Sequence, residues 1–454
     1  LEYRGYDSAG IFVNGQETAA KLVKSVGRIA DLRGKLGIDV SGTAGIGHTR
    51  WATHGKPTED NAHPHTSTSG RFILVHNGVI ENFVELKNEF LMNDTFKGQT
   101  DTEIAVHLIA KFAEEEGLST LEAFKKALSL IQGSYAFALM DSEDAEVIYV
   151  AKNKSPLLIG LGECYNMVCS DAMAMIRETS EFMEIHDKEL VVLTKDNVTV
   201  MDYEGNVLSR ESYTAELDLS DIGKGTYPFY MLKEIDEQPA VMRKLIATYA
   251  NEDGTMKVDQ DIIKGIQEAD RIYIIAAGTS YHAGFGAKMM LESLTNTPVE
   301  LGLASEWGYD MPLLSQKPFF IFLSQSGETA DSRQVLVKVN ELGLPSLTVT
   351  NVPGSTLSRE ATYTMLIGAG PEIAVASTKA YTGQIATLAF LAKAVGEAEG
   401  EVKAKEFDLV KELSLVAQSI EATLSEKDEI AAIVADLLPT TRNAFYIGRK
   451  QDYY

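Results

Sequence analysis

Cysteine is almost missing from this chain: there are two in 454 residues, Cys164 and Cys169. Two thiols cannot form a disulfide framework over such a length, which points to a reducing compartment, the cytoplasm. No further cysteine completes a thiolate zinc site, so the pair reads as small core residues and not as ligands. Basic charge is scarce as well. The 41 Lys and Arg are outweighed by 65 Asp and Glu, a formal net charge of −24. Such a surface repels nucleic acid and anionic membranes, because attraction to phosphate backbones is carried by cations. A phosphate ligand would have to be held locally, by N–H groups and hydroxyls. No apolar run approaches the roughly 20 residues of a membrane-spanning helix. No basic segment with a cleavage site opens the chain.

What is present suffices for about three domains by length, and hydrophobic residues, at 45%, suffice for ordinary cores. Residues 1–195 carry short alternating strands, Ala9–Val13, Arg71–Val75, Ser134–Met140 and Leu190–Leu193, interrupted by helical stretches near 101–115 and 119–131. That pattern predicts a layered α+β domain. Residues 196–260 read as a linker, centred on 217–225, and a helix near 229–250. From 261 to 400, apolar strands (Arg271–Ala276, Pro318–Leu323, Leu347–Thr350 and the run Glu372–Thr378) alternate with helices, which predicts a doubly wound parallel α/β sheet. Connecting helices fill 401–440. The segment Arg442-Asn-Ala-Phe-Tyr-Ile-Gly448 echoes Asp270-Arg-Ile-Tyr-Ile-Ile-Ala-Ala-Gly278, so 441–454 reads as the opening of a second copy of that domain, with a strand at Phe445–Ile447. The chain opens at Leu1 inside a motif-like segment, and both ends are expected to be cut boundaries.

The first part concentrates His48-Thr-Arg-Trp-Ala-Thr-His-Gly55, His76-Asn-Gly78 and Thr100-Asp-Thr-Glu103. Hydrolysis of a side-chain amide needs a nucleophile with a base, an oxyanion hole and a clamp on the amino-acid end. Arg50 suits a bidentate grip on an α-carboxylate. Asp101 suits the α-ammonium group, and the Asn77 amide with the Gly78 N–H suits the oxyanion hole. Plainer readings compete. Arg50 could be a surface ion pair, Asn77-Gly78 a hairpin turn ending the strand, and Thr100 with Glu103 a helix capping box. His48, His54, His63, His65 and His76 raise the question of a metal, but no second ligand type stands at a recognised spacing.

In the second part Gly278-Thr-Ser280, Ser324-Gln-Ser-Gly-Glu-Thr329 and Ser377-Thr378 each read as a loop between a strand and a helix. Helix N-termini present free N–H groups and partial positive charge, which binds phosphate without basic residues. The plainer reading makes Ser280, Ser326 and Ser377 ordinary N-caps. The spacing is neither a dinucleotide fingerprint nor a P-loop.

The first set of segments, with Glu2-Tyr-Arg-Gly-Tyr-Asp-Ser-Ala-Gly10, resembles the class II glutamine amidotransferase domain. The resemblance implies an N-terminal-nucleophile fold, in which a cysteine at the mature N terminus attacks glutamine and its own α-amino group is the base. It implies Arg50 and Asp101 as the glutamine-binding pair and Asn77 and Gly78 as the oxyanion hole. Trp51, Thr53 and His54 fall in the adjoining glutamine loop, and Arg4-Gly-Tyr6 in a loop that closes over the site. Neither Cys164 nor Cys169 has a free amine, so the expectation is that residues 1–454 alone do not hydrolyse glutamine.

Ser324-Gln-Ser-Gly-Glu-Thr329 after a buried strand resembles the sugar isomerase (SIS) domain. The resemblance implies that Ser280, Ser324, Gln325, Ser326 and Thr329 hold a sugar phosphate and that Thr279, Val375 and Ser377 line the sugar. Ala277 stands where some members have cysteine, and Arg449-Lys450 departs from their common Arg-Gly. The family's isomerase Glu and His and its Schiff-base lysine fall beyond Tyr454, and Lys379 is not that lysine. Together the two resemblances imply a cytoplasmic homodimer that moves ammonia from L-glutamine to D-fructose 6-phosphate, giving D-glucosamine 6-phosphate. They imply no pyridoxal phosphate, no other cofactor and no metal. The alternatives are a SIS fructosamine-phosphate deglycase or isomerase, a purine-pathway amidotransferase, for which no phosphoribosyl-pyrophosphate loop is found, and a sugar-phosphate sensor, for which nothing is basic enough.

Overall fold

The computed structural model describes all residues except 1–6, 16–19, 37–39, 51–54, 145, 171, 215–223, 444, 446 and 450–454. The chain forms two compact units, Leu1–Leu219 and Ser220–Tyr454. Most of the linker read at 217–225 lies outside the described residues, as do Arg4-Gly-Tyr6 and Lys450.

The first unit is built on a seven-stranded antiparallel sheet in the order Val207–Leu208, Val198–Asp202, Glu189–Leu193, Ile148–Asn153, Gly133–Asp141, Phe72–Ile80, His65–Thr66. Side chains alternate across a strand, and the alternation separates two cores. Phe72, Leu74, Phe137 and Leu139 face the helices Asp101–Glu114 and Thr120–Leu130, meeting Ile104, Leu108, Phe112 and Phe124. Ile73, Ala138 and Met140 turn the other way, onto Phe12 and Ile46 of a three-stranded sheet made by Lys21–Val26, Ser8–Val13 and Gly45–Arg50. Helices over one sheet and a second sheet beneath form the α+β sandwich that the alternation predicts. Ser119 starts the second helix with a true capping box to Glu122.

The second unit contains a five-stranded, wholly parallel sheet in the order Val299–Leu303, Arg271–Ala276, Pro318–Ser324, Ser346–Thr350, Tyr363–Leu366. The strand Pro318–Ser324 is buried at every position, as a strand covered on both faces must be. In chain order the strands run 2-1-3-4-5, so the winding reverses between Arg271–Ala276 and Pro318–Ser324. The helix Tyr230–Tyr249 packs into this unit's core through Val241, Met242 and Leu245. Its Tyr249 hydroxyl donates to Leu366 O at 2.7 Å and accepts from Leu366 N at 2.9 Å.

One sequence reading fails here. Glu372–Thr378 is a loop, not a strand, because its backbone N–H groups are taken by carboxylates rather than by a neighbouring strand. The strand read at Phe445–Ile447 falls on Tyr446, which lies outside the described residues.

Candidate active sites

The strand Phe72–Ile80 runs unbroken through His76-Asn77-Gly78, with Asn77 opposite Ala136 and Gly78 opposite Tyr135. The hairpin-turn reading is therefore overturned: tertiary pairing overrides the local turn signal. Gly78 has φ +135°, and a Cβ there would lie 2.7 Å from the carbonyl carbon of Ser134 and 2.9 Å from Cα of Tyr135. Only glycine fits this conformation and this approach. Asn77 is exposed, and its Oδ1 meets His48 Nε2 at 2.7 Å. That leaves the Asn77 Nδ2 hydrogens free to donate outward.

Asp101 opens the helix Asp101–Glu114, and its Oδ2 accepts from Ile80 N at 2.8 Å, two residues beyond Gly78. Asn77, Gly78 and Asp101 thus share one corner of the unit. Arg50 ends its strand at 5% exposure and directs its guanidinium to the carbonyls of Gly55 and Lys56 at 3.5 and 3.4 Å. It is buried and not a surface group. The capping-box reading of Thr100 and Glu103 also fails. Thr100 Oγ1 bonds His65 Nε2 at 2.9 Å, and the Glu103 carboxylate accepts from Lys97 N and Gly98 N, both at 2.8 Å. Trp51, Thr53 and His54 lie outside the described residues.

The histidine-rich stretch is a packed scaffold. His48 stacks on His63 with centroids 4.3 Å apart, and His63 meets His65 edge-on at 4.8 Å. His76 N donates to His63 Nδ1 at 3.2 Å, and His76 Nδ1 bonds Thr102 Oγ1 at 2.9 Å. Burial pushes the His48 imidazole down to about 4 and lowers those of His63, His65 and His76 too. Among the described residues no three His, Cys, Asp or Glu gather as a metal site. The alignment role of His48 was not visible in the sequence, since its partner lies 29 residues away.

In the second unit the phosphate-suited residues stand at the carboxyl ends of the two strands where the winding reverses, the place where doubly wound sheets bind ligands. Thr279 and Ser280 lie in the first turn of the helix Gly278–Thr295. Gln325, Ser326 and Thr329 lie between the strand Pro318–Ser324 and the helix Ala330–Glu341. Gly327 has φ +66°, and a Cβ there would come 2.9 Å from Thr350 Oγ1 and 2.5 Å from the side chain of Ser355. Ser324 is buried beneath the loop, accepting from Gly327 N at 3.0 Å and bonding Thr329 Oγ1 at 2.8 Å. It shapes the loop from below.

Ser280, Ser326 and Ser377 are not N-caps; Ala277, Thr329 and Thr378 hold those positions, without side-chain cap bonds. Ser326 Oγ accepts from Glu328 N at 3.1 Å. Buried Gln384 donates from Nε2 to Ser280 Oγ at 2.9 Å, which leaves the Ser280 hydrogen to point elsewhere. Gln384 belongs to the helix Lys379–Glu399 that follows the third loop, so this bond joins the third loop's helix to the first loop. In that third loop Val375 is 58% exposed, and Ser377 Oγ donates to Glu372 Oε2 at 2.8 Å. Gln384 and Glu372 escaped the sequence reading as site-supporting residues.

The sandwich with its Asn-Gly strand and the parallel sheet with its three loops define a glutamine amidotransferase domain joined to a SIS domain. Family models of those descriptions match residues 2–206 (glutamine amidotransferase domain) and 265–394 (SIS domain). The chain belongs to the glutamine–fructose-6-phosphate aminotransferase (isomerizing) family. It is 79% identical over 455 residues to a protein of that name from Streptococcus pyogenes serotype M6, covering 100% of this chain and 75% of the relative. It is 76% identical over 455 residues to its counterpart in Streptococcus pneumoniae serotype 4, with the same coverages of 100% and 75%. Among solved structures, the C-terminal domain of glucosamine-fructose-6-phosphate aminotransferase from Francisella tularensis matches with 33% identity and a TM-score of 0.45, over 47% of this chain and 60% of that one.

Proposed function

We propose that the protein takes part in glutamine-dependent synthesis of D-glucosamine 6-phosphate from D-fructose 6-phosphate, the entry step to amino sugars. In the first unit Arg50 binds the α-carboxylate of L-glutamine and Asp101 its α-ammonium group, with Trp51, Thr53 and His54 in the adjoining loop. As the side-chain amide is attacked, negative charge develops on its carbonyl oxygen. The Asn77 Nδ2 and the Gly78 N–H stabilise that oxyanion. His48 holds the Asn77 amide so that its nitrogen, not its oxygen, meets the charge. The ammonia released passes to the sugar unit.

There Ser280, Ser326, Gln325 and Thr329 hold the phosphate with hydroxyls and the N–H groups of two helix starts, and Ser324 keeps the loop in shape. Thr279, Val375 and Ser377 line the sugar. A dianion is accepted by neutral donors, which suits a chain of net charge −24. The observation that carries the reading is the placement of these hydroxyl loops at the reversal of strand order. We further assign residues 1–195 to the amidotransferase domain, 196–260 to the linker and helix, 261–400 to the SIS domain, 401–440 to connecting helices and 441–454 to the start of a second SIS domain. The protein acts in the cytoplasm as a homodimer, with neither nucleic acid nor membrane as partner. No helix among the described residues is long and apolar enough to cross a membrane.

Calorimetric titration tests the sugar half. D-fructose 6-phosphate should bind and D-fructose should not; absence of any heat with the phosphate ester would sink the reading. Incubation of the native enzyme with both substrates, read by mass spectrometry for D-glucosamine 6-phosphate, tests the whole.

A further inference from the structure

The sugar-side loop is held from outside the stretch that the SIS family model matches. Glu234 lies in the first turns of the helix Tyr230–Tyr249, upstream of residues 265–394. It is 1% exposed. Its Oε1 accepts from the backbone N–H of Ile373 at 2.5 Å and of Ala374 at 3.0 Å, immediately before Val375. Its Oε2 is buried and has no hydrogen-bond partner. A carboxyl group this enclosed is costly unless it is hydrogen-bonded, and the two backbone N–H groups of the loop are what Glu234 has.

One turn along the same helix, Glu237 Oε2 pairs with Lys379 Nζ at 2.6 Å, and Lys379 is 3% exposed. Lys379 is the first residue of the helix that follows the loop. The upstream helix therefore grips the loop at both ends, before Val375 and after Ser377. Inside the loop Glu372 accepts from Thr378 N at 2.9 Å and Ala380 N at 3.0 Å. Pro239 in the upstream helix leaves the carbonyl of Ile235 without its helical donor. Gln238 Nε2 donates to that carbonyl at 3.2 Å, so the turn bearing Glu234 and Glu237 stays regular.

We propose that Glu234 is a positioning residue for sugar recognition: it fixes the backbone of residues 373–374 and thereby places Val375 and Ser377 against the sugar, without touching the ligand. The proposal rests on the sugar-phosphate reading above. The residues proposed to hold the phosphate sit on the two other loops and donate no hydrogen bond to Glu234. Glu234 should therefore matter for the sugar and not for the phosphate, a split that general damage to the fold would not produce.

The test measures dissociation constants of D-fructose 6-phosphate and of inorganic phosphate on the wild-type protein, Glu234→Ala and Glu234→Gln. Loss of two N–H bonds to a buried carboxyl oxygen predicts at least about tenfold weaker sugar-phosphate binding in Glu234→Ala. Inorganic phosphate should stay within about twofold. Glu234→Gln keeps a carbonyl oxygen with two lone pairs for both N–H groups and should restore binding to within about threefold. Should Glu234→Ala fail to fold, Glu234→Asp, which withdraws the acceptor by one methylene, is expected to show the same split. Equal loss of both ligands, or unchanged binding of D-fructose 6-phosphate, overturns the proposal. A wild-type protein that binds neither ligand overturns instead the function on which it rests.

Discussion

His48 Nε2 lies 2.7 Å from Oδ1 of Asn77, a bond between two different sheets of the first unit. Because Asn77 Oδ1 accepts here, its Nδ2 hydrogens are the ones left to donate, as the oxyanion role proposed for Asn77 requires. His48 in turn is fixed by its stack on His63. Replacing His48 by Phe should keep much of the packing and free the Asn77 amide to rotate. The expected result is a fall in glutaminase kcat of about tenfold to a hundredfold in the native enzyme, somewhat less than outright loss of an oxyanion donor. KM for glutamine should change little, since Arg50 and Asp101 are untouched. An unchanged kcat would remove His48 from the site.

The buried histidines predict acid sensitivity of the first unit. Folding lowers their affinity for protons, His48 to about 4, with burial as the leading cause for all four. Unfolded imidazoles titrate near 6.5. The unfolded chain therefore binds more protons as pH falls below about 6.5. The stability contributed by neutral histidines is fully present above that pH and drains away as pH drops towards about 4. Urea midpoints of the first unit, followed from pH 7.5 to 4.5, should decline through this window before most exposed carboxylates protonate. A flat profile between pH 7 and 5 would contradict the scaffold described.

Gly327 offers a steric test of the phosphate loop. Its φ of +66° is strained for any side chain, and a Cβ would press on Ser355 and Thr350. Gly327→Ala should deform the Ser324–Thr329 loop and weaken D-fructose 6-phosphate by more than about tenfold, at a stability cost of about 1–3 kcal/mol. Calorimetric titration and a thermal melt read the two effects separately. Wild-type affinity in the variant would mean that the loop is not where the phosphate sits.

These relationships also mark where the sequence is readable and where it stops. Pro318-Phe-Phe-Ile-Phe-Leu323 announces a buried strand because nothing polar interrupts it. Val299-Glu-Leu-Gly-Leu303 does not, since an edge strand carries a charged residue, Glu300, paired to Arg271 at 2.9 Å. Ile373-Ala-Val-Ala376 imitates a strand in composition, yet its first two N–H groups go to Glu234, 139 and 140 residues away. Asn77-Gly78 carries the local signature of a turn and is held in a strand by nine-residue pairing with Gly133–Asp141. Motif residues were legible because their chemistry is local. Their orienting partners were not, because only the fold brings Gln384 to Ser280 across 104 residues.

That last pair yields a prediction complementary to Glu234. Gln384 is 1% exposed, and its Nε2 donates to Ser280 Oγ at 2.9 Å. An amide N–H cannot accept, so the Ser280 hydroxyl must aim its own hydrogen away from Gln384, where a phosphate oxygen can receive it. Gln384→Met keeps the length and the apolar packing of the side chain but removes the donor. The Ser280 hydroxyl is then free to rotate, and part of its alignment is lost on binding. Losing the direction of one hydrogen bond to a charged acceptor predicts about threefold to tenfold weaker binding. Unlike the Glu234 variants, Gln384→Met should weaken inorganic phosphate and D-fructose 6-phosphate by the same factor, because the role proposed for Ser280 has it meet only the group they share. Competition titration of the two ligands against the variant supplies the comparison. A loss confined to the sugar ester would place Ser280 against the sugar, and no loss at all would show that Gln384 supports the helix packing alone.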